Sequence, residues 1–99
     1  MDDRDLARTI VAGFLDNIPV QVSKLKEFLS GGDAPGAQRQ AHTIKGAAAN
    51  LGAPALRDVA LELEQIGKAG RMGDALDVLP RLETEFERVR RALEQNGWT

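Results

Sequence analysis

Apolar residues in this 99-residue chain recur at steps of three and four, and nowhere do they alternate with polar ones over the length of a strand. Steps of three and four gather on one face of a helix, whereas a half-buried strand needs a period of two. The chain is therefore restricted to helices. Leu6, Ile10, Phe14 and Ile18 form a first stripe, with Ala7, Val11 and Leu15 beside them, and Val22, Leu25 and Leu29 continue as a second. Leu56, Val59, Ala60, Leu63 and Ile66 form another, and Ala75, Leu79, Leu82, Phe86, Val89 and Leu93 the last. Between these lies residues 34–51. At 100° per residue, Ala37, Ala41, Ile44, Ala48 and Leu51 fall within an arc of about 80°. That core face is mostly alanine, which lets neighbouring helices approach closely.

Glycine, proline and aspartate punctuate the stripes. Asp3 or Asp5 is positioned to cap the first helix. Pro19 lacks an N–H and clashes with the preceding turn, which predicts a short helix to about Asn17 and a second from Ile18 to Ser30. Gly31-Gly32 ends that helix and Asp33 caps the next. Gly52 and Pro54 mark the following boundary, Gly67, Gly70 and Gly73 interrupt the next stripe, and Pro80 predicts either a kink or a helix that starts there. Connections this short make consecutive helices antiparallel neighbours. The expected architecture is all-α: an antiparallel up-down four-helix bundle with a short additional N-terminal helix, in one domain over residues 1–99.

Composition removes whole classes of function. The chain has no cysteine, which excludes a disulfide scaffold, a zinc–thiolate site and thiol catalysis, and its single histidine excludes a two-histidine metal site. Thirteen basic against fifteen acidic residues leave a net charge of −2, without the basic surplus a general nucleic-acid binder needs. No apolar run is long enough to span a membrane, and the opening Met-Asp-Asp-Arg lacks a signal-peptide pattern. A cytoplasmic protein with no metal site, no nucleic-acid partner and no direct membrane contact is expected. A monomer is expected too, because no second strongly apolar face is present.

The lone histidine, His42, lies about 140° around the 34–51 helix from the centre of its apolar arc. On the same side follow Gly46 and Ala49, with Gln38, Arg39 and Lys45 on the flanks. Each has an ordinary reading as an exposed or helix-contact residue. Together they also fit a chemical one. Gly46 costs about 0.5–1 kcal/mol against alanine in a helix interior, on a face where core packing asks for no small residue. With Ala49 it leaves a flat patch through which another protein reaches the imidazole. Lys45, three residues on, lies on the adjoining surface, placed to neutralise a phosphoryl group on the ring, with Arg39 on the other side. A neutral imidazole is a competent nucleophile when one nitrogen is held protonated and the other is free. Glu64, near the edge of its helix's apolar stripe, is a candidate to hold it.

The run Ala41-His42-Thr43-Ile44-Lys45-Gly46-Ala47-Ala48-Ala49-Asn50-Leu51-Gly52 closely resembles the signature of histidine-containing phosphotransfer (HPt) domains, helical bundles of bacterial two-component phosphorelays. The resemblance continues through Leu56, the Leu63-Glu64 pair and the Phe14-Leu15-Asp16-Asn17-Ile18-Pro19 stretch, covering about residues 3–96. It implies that His42 is the phosphoacceptor, Lys45 its charge partner, Gly46 the clearance residue and Glu64 the group that orients the ring. Gln38, Arg39 and Ala49 would then line the partner-docking surface. Glutamine is common in the family where this chain has Glu64, and leucine where it has Ile44.

The function this implies is that of a phosphorelay intermediate: a phosphoryl group passes reversibly from a receiver-domain aspartate to His42, and on to an aspartate of a second receiver. The implied partners are receiver domains and a hybrid sensor histidine kinase. No cofactor belongs to this chain, since the divalent metal of such transfers sits in the receiver's acidic site. The chain is expected to be a phosphocarrier rather than an enzyme: no ATP-binding segment is present, and Gly31-Gly32-Asp33-Ala34-Pro35-Gly36 lacks the lysine and hydroxyl of a phosphate-binding loop. A helical docking module without phosphate chemistry is the alternative. Hydrolysis with His42 as base has no nucleophile or metal set beside it.

Overall fold

Asp2 starts the first helix. Its extended backbone and its carboxylate, which accepts the Asp5 N–H at 2.8 Å, supply the N-cap that the sequence pattern assigned to Asp3 or Asp5. In the computed structural model, which describes residues 2–98, four helices follow in order: α1 (Asp3–Ser30), α2 (Ala34–Leu51), α3 (Pro54–Ala69) and α4 (Met72–Gln95). The expected separate N-terminal helix is not separate. α1 runs unbroken through Pro19, whose ring lies on the exposed side of the helix. Pro80 is likewise exposed and sits inside an unbroken α4.

The turns between helices follow their glycines. Asp33 caps α2 by accepting the Gly36 N–H at 2.9 Å. Gly52 (φ 76°) and Gly70 (φ 73°) close α2 and α3 in the left-handed conformation that side chains with a Cβ resist. Gly67 and Gly73 do not interrupt anything; each lies within a helix.

Adjacent helices pack as successive neighbours, most extensively α2 against α3, and α1 meets α4 least. The centre holds Ile18, Leu25, Ile44, Leu56, Leu63 and Leu82, with Ala37, Ala41, Ala48 and Ala60 between them where α2 and α3 come close. At about 1.5 Å per residue, α1 alone matches the 44 Å long axis of the molecule, so its first turns outrun the shorter α2 and α3. Leu6 and Ile10, expected on the core stripe, are exposed, at 51% and 60%; successive steps of four drift about 40° round the helix and carry them off the buried face. Only Val11, Phe14 and Ile18 of that stripe are buried. The N-terminal half of α1 is held to α4 by the Phe14–Phe86 contact, and to the turn after α4 by Arg8, which donates to the Gly97 carbonyl at 3.3 Å.

Candidate functional site

Burial of Ala37, Ala41, Ile44 and Ala48 fixes how α2 is rotated, and with it which residues face outward. His42, Gly46 and Ala49 share the open side, His42 with its side chain 65% exposed. The neighbouring edge of α2 faces α3. There Glu64, 17% exposed, reaches across from α3.

One carboxylate binds two α2 side chains. Glu64 Oε1 lies 2.9 Å from His42 Nδ1, and Glu64 Oε2 lies 2.7 Å from Lys45 Nζ, the second with the angle of an ion pair rather than of an aligned hydrogen bond. The Lys45 ammonium holds the Glu64 carboxyl below the ordinary glutamate range; burial opposes this, and the His42 contact adds to it. An ionised carboxylate only accepts hydrogen bonds. Nδ1 therefore carries a proton and donates it to Oε1, and when the ring is neutral its lone pair is on Nε2. Among the described residues, Nε2 has no hydrogen-bond partner.

The remaining residues of the predicted set divide. Gln38, Arg39 and Thr43 border the shallow cleft that His42 and Glu64 enter, and Arg39 has no ion-pair partner among the described residues. An added Cβ on Gly46 would meet nothing within 4 Å, so no internal packing requires glycine there. Ala49 is exposed beside it. Lys45 is 26% exposed and held by Glu64. Spacing along α2 gave no sign of that ion pair, because its partner stands nineteen positions away on another helix.

Sequence reasoning also missed a groove on the other flank of α2. Ile10, Phe14 and Gln21 of α1 face Ala47, Asn50 and Leu51 of α2 around about 200 Å³ of space. Gln21 Oε1 is buried there without a hydrogen-bond partner. The exposed end of the apolar α1 stripe was its only signal in the sequence.

A protein-family model described as "Hpt domain" matches residues 9–92. The chain belongs to the Hpt family. The crystal structure of histidine-containing phosphotransfer protein B (HptB) from Pseudomonas aeruginosa PAO1 is similar to this Hpt domain, with a TM-score of 0.86 and 28% sequence identity over 97% of this chain and 92% of that one. No curated protein sequence matches. Family and fold together make this Hpt domain a phosphotransfer carrier of the phosphorelay type, not a kinase. No helix among the described residues is long and apolar enough to cross a membrane.

Proposed function

We propose that His42 is the phosphoacceptor of a relay between receiver domains. The Nε2 lone pair attacks the phosphorus of a receiver's aspartyl phosphate, an N–P bond forms as the acyl P–O bond breaks, and the aspartate leaves as a carboxylate. The same steps in reverse deliver the group to an aspartate of a second receiver. The observation that carries this reading is the pairing of an exposed ring with a carboxylate on Nδ1, which leaves Nε2 as the free nucleophile.

Attack leaves the ring substituted at Nε2 while Nδ1 keeps its proton, so positive charge develops on the imidazole. Glu64 is placed to stabilise that charge through the Nδ1–H bond, in both directions of transfer. Lys45 keeps the Glu64 carboxyl ionised and positioned, and its ammonium adds positive potential beside the phosphoryl group. Arg39, on the opposite side of His42 and without an ion pair, contributes charge from solvent. The bundle supplies rigidity, so that docking alone completes the in-line geometry.

The docked receiver covers Gln38, Arg39, Gly46 and Ala49 and extends over the α1–α2 groove. Its hold there comes from the exposed Ile10. This reading places the protein in the cytoplasm with its receivers and with a sensor kinase upstream.

The test is transfer of label from phosphorylated receivers to the wild type and to His42→Gln. Acid-labile, base-stable label that is lost in a folded His42→Gln variant is expected. Label retained by that variant would end the assignment. Wild-type protein that takes label neither from receivers nor from phosphoramidate would leave the docking-module reading in its place.

A further inference from the structure

Gly67 is buried on α3 in ordinary helical backbone; it is not among the glycines with positive φ. Its conformational freedom is therefore not used, and a glycine in a helix interior is disfavoured against alanine. What the position uses is the missing side chain. A Cβ on Gly67 would lie 3.0 Å from the Gln38 backbone nitrogen, 3.1 Å from its Cα and 3.3 Å from its Cβ. Carbon contacts are comfortable at about 3.5–4.0 Å, and two of these three atoms are main chain, which cannot rotate away. Here α3 lies directly against the backbone of α2.

This contact sits beside the candidate site. Gln38 is one turn before His42 on α2, and Glu64 is one turn before Gly67 on α3. The same pair of helices thus makes its tight approach at Gly67–Gln38 and, one turn away, the 2.9 Å bond from His42 Nδ1 to Glu64 Oε1. Separating the helices by a few tenths of an ångström would stretch that bond toward the limit at which a hydrogen bond weakens.

We infer that Gly67 is a positioning residue for phosphotransfer: its missing side chain sets the distance at which α3 presents Glu64 to the His42 ring. The inference rests on the reading of Glu64 given above. Gly67 acts through spacing and touches neither the ring nor the phosphoryl group.

The experiment compares Gly67→Ala, Glu64→Ala and the double variant in the full chain, with Val78→Ala on α4 as a control for lost stability away from the site. The first readout is the pair of His42 ring nitrogen signals by NMR, which reports the share of the Nδ1–H form without any phosphotransfer. The second is the rate of labelling by phosphoramidate, which needs no partner. Gly67→Ala, carrying the smallest side chain and a better helix former, is expected to stay folded. Its ring signals should shift toward those of Glu64→Ala, its labelling should slow about fivefold, as for a weakened hydrogen bond to a charged group, and it should add no further loss in the Glu64→Ala background. Val78→Ala should leave the ring signals in place.

Unchanged ring signals in Gly67→Ala, with a clear change in Glu64→Ala, would overturn the role of Gly67 alone. An equal loss of rate from Gly67→Ala in both backgrounds would overturn it as well, since the effect would then not pass through Glu64. Unchanged signals and rate in Glu64→Ala would overturn the reading of Glu64, and that of Gly67 with it.

Discussion

Lys45 Nζ lies 2.7 Å from Glu64 Oε2, so the lysine three residues beyond His42 is ion-paired with the carboxylate that accepts the ring's Nδ1–H. The pair gives the site a different charge from one built with glutamine at position 64. A lysine facing glutamine would leave a full positive charge beside the ring; here the carboxylate offsets part of it and the ring gains a charged acceptor. Glu64→Gln should keep the shape and lose the charge. Hydrogen bonds to charged groups contribute about 1.5–3 kcal/mol against about 0.5–1.5 for neutral ones. A difference near 1.4 kcal/mol at the transition state is about tenfold in rate. Stopped-flow transfer from a phosphorylated receiver should therefore be about tenfold slower for Glu64→Gln and slower again for Glu64→Ala. A Glu64→Gln variant as fast as the wild type would show that the carboxylate's charge has no part in transfer.

The same contact gives stability a pH dependence of definite sign. Glu64 is held below the ordinary glutamate range by Lys45, and by His42 to a smaller degree. A carboxyl depressed by folding contributes stability that is complete above its unfolded pKa of about 4.3 and is lost as pH falls through the lower folded value. The thermal midpoint of the wild type should exceed that of Glu64→Gln at neutral pH, and the gap should close in acid below about pH 4. A gap of constant size across that range would mean that ionisation of Glu64 does not stabilise the fold.

Much of this arrangement was legible in the sequence, and the exceptions have physical causes. Periodicity located the α2 face because alanine and isoleucine at inward positions leave no other rotation for that helix. The capping aspartate of α2 and its closing glycine follow from local chemistry, and both are where that chemistry puts them. Pro19 misled because a proline breaks a helix through local terms alone, while burial of Val11, Phe14, Ile18 and Val22 on one side of Pro19 holds α1 helical through it. Leu6 and Ile10 misled because steps of four drift about 40° round a helix, so the start of the stripe leaves the face that Val11, Phe14 and Ile18 bury. Gly67 read as an interruption because glycine has two uses, and only the position of Gln38 across the interface tells them apart.

Gly46 separates helix stability from docking. Nothing lies within 4 Å of where its Cβ would be, so Gly46→Ala should stabilise the fold by about 0.5–1 kcal/mol and leave labelling by phosphoramidate intact. Gly46→Gln places a long side chain on the face the receiver must cover. It should slow transfer from a receiver while leaving phosphoramidate labelling near the wild-type rate. Receiver transfer at the wild-type rate in Gly46→Gln would show that clearance is not what this glycine provides.

Pro19 offers a test of the fold itself. It is exposed within an unbroken helix, and a proline in a helix interior costs about 3 kcal/mol through the lost N–H bond and the clash with the preceding turn. Replacing it also frees the unfolded chain, which takes back about 0.4–1 kcal/mol. Pro19→Ala should thus raise the stability measured by urea unfolding by about 2 kcal/mol. A loss of stability would mean that the ring of Pro19 makes packing contacts that α1 depends on.

Ile10 decides whether the α1–α2 groove takes part in docking. It is 60% exposed at the edge of the groove, away from His42 and outside the buried core. Ile10→Asp should therefore leave the bundle folded and the imidazole untouched. A carboxylate there opposes an apolar partner surface, since burying a charge without a partner is costly. The expected outcome is unchanged labelling of His42 by phosphoramidate together with a raised half-saturating receiver concentration, because the chemistry at Nε2 is intact and only the encounter is weakened. A parallel fall in both reactions would place the effect on the fold instead. Unchanged receiver transfer would confine the docking surface to the residues immediately around His42.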